Sequence, residues 1–147
     1  EVHAGTRNKK WHNVRPKNRH AYLTRVLEKR LVAGGVFFGR YVKPQLYFFP
    51  TLQTVLRAVA HRVTDDTETT VIIDGVDRQS ARKFTNALRS SGVRSVRVIG
   101  RRDESEPLLR FADMWAGAVR AAGEGHPEVS ELVATALKSG YLVELSA

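Results

Sequence analysis

The feature that most constrains this chain is the alternation of short β-branched runs with amphipathic stretches of helical period. Thr69 to Asp74 reads TTVIID and is closed by Asp74–Gly75. Gln79 to Ser91 then places Ala81, Phe84 and Leu88 on one face, Gly92 stops it, and Val93 to Ile99 (VRSVRVI) supplies another strand. Two strands joined through a helix of this length need a crossover, which makes them parallel. The pattern recurs on both sides. Ala21 to Ala33 sets Leu23, Val26, Leu27 and Leu31 on one face before Gly34–Gly35, and Val36 to Val42 (VFFGRYV) reads as a strand with Gly39 at a bulge. Leu52, Val55, Leu56, Val59 and Val63 line a longer helix whose start, between Leu46 and Pro50, the spacing leaves open. Ser105 is placed to cap a helix running to about Ala122, with Pro107 in its first turn. Pro127 to Ser139 forms a last helix before Gly140, and Tyr141 to Leu145 (YLVEL) a final strand. The expected class is α/β: a mostly parallel sheet flanked by helices on both faces, with ligands beyond the carboxyl ends of its strands.

A length of 147 residues suits one domain with a sizeable core. With no cysteine there is no disulfide framework, thiol nucleophile or thiolate metal site. No apolar run approaches the roughly 20 residues that span a bilayer, so the expectation is a cytoplasmic protein with no membrane partner. The net charge is +9. Residues 1–20 hold Arg7, Lys9, Lys10, Arg15, Lys17 and Arg19 against Glu1 alone. The chain therefore divides, on expectation, into a basic head over 1–20 and an α/β body over 21–147. Such a head attracts polyanions and releases counterions from a phosphate backbone, and Trp11 offers a ring on which a base could stack. The alternative is a solvated basic segment with no specific ligand.

Two carboxylates stand out by context. Asp74 ends a strand at the rim where parallel sheets bind ligands, although Asp-Gly is also an ordinary strand-ending turn. Asp113 is the sole charged residue of Phe111 to Val119 (FADMWAGAV). A buried carboxylate there would need a partner or a metal. The opposite reading places it on a polar stripe of Glu106, Arg110, Asp113, Gly117, Arg120 and Glu124, at steps of four and three. His3, His12, His20, His61 and His126 form no tight ligand pair, and no phosphate-binding loop or serine elbow is present.

The stretch Asp103 to Ala121 (DESEPLLRFADMWAGAVRA) resembles the C-terminal signature of a ribonuclease-H-like family catalogued as domain of unknown function 3800. The resemblance is carried by Ser105, Leu109, Ala112, Asp113, Ala116, Gly117 and Ala118. Val71 to Gly75 with Arg82, Lys43 after VFFGRYV, and Glu1-Val2-His3-Ala4 resemble weaker elements of the same family. It implies an incomplete ribonuclease-H-like three-layer fold and cleavage of nucleic-acid phosphodiesters. Asp74, Asp113 and Glu1 would hold Mg²⁺ or Mn²⁺, while the head and Lys43 would hold the backbone. The family's opening strand, bearing Asp-Glu-Ser-Gly, has no counterpart here, and the chain opens on Glu1 rather than Met. Residues upstream are expected, and the missing strands would leave an open sheet edge for a second copy or a partner chain. The alternative function is a non-catalytic nucleic-acid-binding or assembly module that has lost an essential carboxylate.

Overall fold

The computed structural model describes residues 11–32, 35–42, 46–62, 67–102 and 106–145. A 3₁₀ turn over Trp11–Asn13 leads into α1 (Pro16–Lys29), β1 (Val36–Phe38), α2 (Phe48–Arg62), β2 (Thr69–Asp74) and α3 (Arg78–Ser90). β3 (Val96–Arg101), α4 (Pro107–Gly123), α5 (Pro127–Lys138) and β4 (Leu142–Glu144) complete the order. The class is mixed α/β with parallel pairing, but the strands do not join one sheet. β2 pairs with β3 and β1 with β4, each in a separate two-stranded sheet.

The chain forms two compact units, one of residues 1–36 and 103–143 and one of 37–102 and 144–147. The expected division at residue 20 is not an element boundary, because α1 begins at Pro16 inside the basic head. Proline at the first helical position lacks only an N–H that would go unpaired there, and Pro107 and Pro127 start α4 and α5 in the same way. α1 stops at Lys29, earlier than Gly34–Gly35 suggested. Arg30 takes the left-handed conformation (φ 45°), and the N–H groups of Arg30 and Leu31 return to the carbonyls of Leu27 and Val26. Glu106, not Ser105, caps α4, its side chain accepting from Leu108 N at 3.3 Å. Ser105 lies outside the described residues.

In the first unit α1, α4 and α5 pack on one another around Leu23, Val26, Met114, Trp115, Ala118, Val129 and Ala136. The Trp115 and Tyr141 rings lie 5.7 Å apart, and the Tyr141 hydroxyl donates to Leu31 O. Burial pushes that hydroxyl's pKa up to about 12.

In the second unit β2 and β3 run parallel, with Thr69 opposite Val96 and Asp74 opposite Arg101. α3 is the crossover and packs on β3, while α2 packs on α3. Phe84, Leu88 and Val96 are buried. Arg97 and Arg101, one step out of phase with Val96, are exposed on the other sheet face. The turn after β2 crosses Gly100 so closely that a Cβ there would lie 1.7 Å from Val76 O.

A second close approach seats the N-terminal turn. A Cβ at Gly117 would meet the Trp11 ring at 2.1 Å. Gly117→Ala should lever the indole off α4 at a cost of about 1–3 kcal/mol. A lower urea midpoint with red-shifted tryptophan emission is the expected result; unchanged values would show that the ring is not seated there.

Candidate nucleic-acid interface

Asp113 is half-buried, and its Oδ2 accepts the Trp11 backbone N–H at 2.8 Å. One reading of the spacing placed it on an exposed polar stripe, yet the middle of that stripe is covered while Arg120 and Glu124 are exposed. Arg110 and Gly117 are buried, and Trp11 lies over Gly117. Asp113 thus holds the turn that precedes α1, because a carboxylate is a strong acceptor for an N–H leaving water.

The stacking role expected of Trp11 is corrected by the same geometry. Its ring is 5 % exposed, and the Arg19 guanidinium stands 4.4 Å from the ring centroid. Arg19 Nε also donates to Trp11 O at 2.9 Å. Neither residue presents an unoccupied face to a base, since the indole is packed and the guanidinium covers it. Arg15 and Lys17 are exposed. Glu1, Arg7, Lys9, Lys10 and Lys43 lie outside the described residues.

Asp74 is exposed at the carboxyl end of β2, with Arg101 as its register partner. Gly75 follows at φ 69°, and its N–H donates to Arg101 O at 2.9 Å, so the strand end is also the expected turn. Asp74 and Asp113 belong to different compact units. Among the described residues no three His, Cys, Asp or Glu side chains gather as a metal group. Nearby, Asp77 caps α3 by accepting Ser80 N at 2.7 Å, and that hydrogen bond holds its carboxyl below the usual aspartate range.

The strongest electrostatic feature lies on α3 and β3. From Arg78 to Arg102 the chain carries Arg78, Arg82, Lys83, Arg89, Arg94, Arg97, Arg101 and Arg102, with no Asp or Glu among them. All eight are exposed. Arg78, Arg82 and Arg89 are four and seven residues apart, which stacks them on one helix face. Arg97 and Arg101 share a strand face. Where the loop from α3 enters β3, Arg89, Arg94 and Arg97 line an open cleft of about 480 Å³ with Thr69, Thr70 and Ser95, and Glu68 supplies its one acid. Guanidinium forks and hydroxyls are hydrogen-bond donors of the kind that suit phosphate oxygens.

A count over residues 21–147 hides this surface, because acids after Arg102 offset it in the sum. The signal was present as a run: eight cations uninterrupted by an acid across a strand-helix-strand motif. Comparison with family models, curated proteins and solved structures finds no match to this chain.

Asp113→Ala should cost about 1.5–3 kcal/mol, the range for a hydrogen bond to a charged group, and Asp113→Asn distinctly less because an acceptor remains. Urea unfolding measures both; equal midpoints for the three proteins would remove the anchoring role.

Proposed function

We propose that this chain binds the phosphodiester backbone of nucleic acid through the arginine surface of α3 and β3. One observation carries the reading: eight exposed cations without an intervening acid, three of them lining one cleft beside hydroxyl groups. An extended polyanion suits it better than a small acidic ligand, because the cleft is open and Arg101 lies further along the strand face that carries Arg97. Backbone recognition of this kind positions a strand without reading its sequence.

Counterion release makes the proposal quantitative. Each phosphate contact on B-DNA adds about 0.9 to the slope of log affinity against log salt. Arg94→Gln and Arg97→Gln should each flatten that slope by about 0.9 and weaken binding to every sequence alike. Arg120→Gln, exposed on α4, is the control. Fluorescence anisotropy across a salt series measures this, and an unaltered slope in the Arg94 and Arg97 variants would defeat the proposal.

A second reading is metal-dependent phosphodiester cleavage of the ribonuclease-H-like type. It is favoured by the exposed Asp74 at the carboxyl end of a parallel strand. Asp74 and Asp113, with Glu1, would hold Mg²⁺ or Mn²⁺, which would activate water and stabilise the phosphoryl transition state. In the described residues Asp113 already serves Trp11 N, and Asp74 stands in the other unit. Calorimetric Mn²⁺ titration decides this reading: saturable binding abolished by Asp74→Asn supports it, and equal heats for both proteins reject it.

A further inference from the structure

The cations of the strand face are unevenly placed. Arg89, Arg94 and Arg97 line one cleft with Thr70 and Ser95, whereas Arg101 follows about 13 Å further along β3. Thr69 N donates to Ser95 O at 2.8 Å, and Thr70 is the register partner of Arg97. The paired starts of β2 and β3 thus hold the lining of the cleft together. Among the described residues none of the three arginines makes an ion pair, although Glu68 lines the same cleft. Glu68 directly precedes β2, which puts it at the end of the cleft remote from Arg101.

We propose that this cleft takes a terminal phosphomonoester, so that the chain recognises the phosphorylated end of a nucleic-acid strand. This rests on the backbone-binding reading above and names the part of the ligand that the cleft holds. An internal diester carries a single negative charge, whereas a monoester carries about −1.5 to −2 at pH 7 and offers three strong acceptor oxygens. Three guanidiniums gathered in one cleft match the monoester; cations spaced one to a phosphate would match the diester. Glu68 supplies the polarity of the site. A strand running from Arg101 into the cleft and on beyond it would carry its next phosphate past a carboxylate, and like charges repel. A strand that ends in the cleft has no phosphate to place there. The lone acid therefore disfavours passage through the cleft while leaving termination in it unopposed.

The test uses the full chain and internally labelled single strands of about 12 nucleotides, bearing a 5′-phosphate, a 3′-phosphate or hydroxyls at both ends. A phosphate at one end should raise affinity about tenfold, the factor that one added hydrogen bond to a charged group supplies. Which of the two phosphorylated strands gains identifies the end recognised. Arg94→Gln and Arg97→Gln should cut that preference to about threefold or less. Glu68→Gln should tighten the hydroxyl-ended strand and so narrow the preference from the other side. Equal affinity for the three strands, with the arginine variants still weakening all of them, overturns end recognition and leaves backbone binding standing. Arginine variants without effect on any strand overturn both readings. A preference retained in full by the arginine variants overturns the assignment to this cleft. A nucleoside monophosphate that binds as tightly as the phosphorylated strand overturns the strand end as ligand. Helical circular dichroism and the urea midpoint confirm that each variant is folded.

Discussion

Burial of Phe84, Leu88 and Val96 between α3 and the β2–β3 sheet is the constraint on which the proposed interface depends. A helix has one apolar stripe and a sheet one core face, and this packing uses both. Every residue out of phase with those positions must then face outward. The sequence places Arg78, Arg82 and Arg89 opposite Phe84 and Leu88 on the helix, and Arg97 and Arg101 opposite Val96 on the strand. The same periodicities that build the core therefore turn the cations outward, some on the outer face of α3 and some on the sheet face away from it. Gly100 matters for the same reason: only a residue without Cβ lets the Val76 backbone pass, and that passage aligns the start of α3 with the end of β3.

Local periodicity made most elements legible. β2 matches its expected span end to end, and α3, α4 and α5 differ from theirs by at most two residues at either end, α5 starting at Pro127 as expected. The mismatches have local causes. VFFGRYV ends as a strand at Phe38 because the Tyr41 ring folds back over Gly39 and its hydroxyl reaches Thr54 at 3.1 Å. α1 starts early because Pro16, not apolar spacing, sets its N-terminus. What the sequence could not reveal was long-range. Nothing near Asp113 says that Trp11, 102 positions away, will place its N–H on that carboxylate. Nothing in the strand pattern says that β4 will pair with β1 while β2 and β3 stand apart. A lone acid in an apolar helix announces a required partner, and here the partner found is a backbone N–H.

The two units invest their polar residues differently. In the first, Asp113, Arg19 and Tyr141 all make contacts within the fold, and it holds most of the buried large apolar side chains among the described residues. In the second, Phe84, Leu88, Val96 and Leu145 are the fully buried apolar residues among those described, and β2 contributes none. A unit with so small a core can least tolerate self-repulsion, yet it carries the uninterrupted cations. Like charges within a Debye length of about 8 Å at physiological salt oppose folding. A polyanion on this surface would relieve that repulsion and bind the folded unit in preference to the unfolded one, so the same contacts that give affinity would also raise stability by mass action. The thin core and the dense charge are then two aspects of one arrangement, a surface whose folded form is favoured most when its ligand is present.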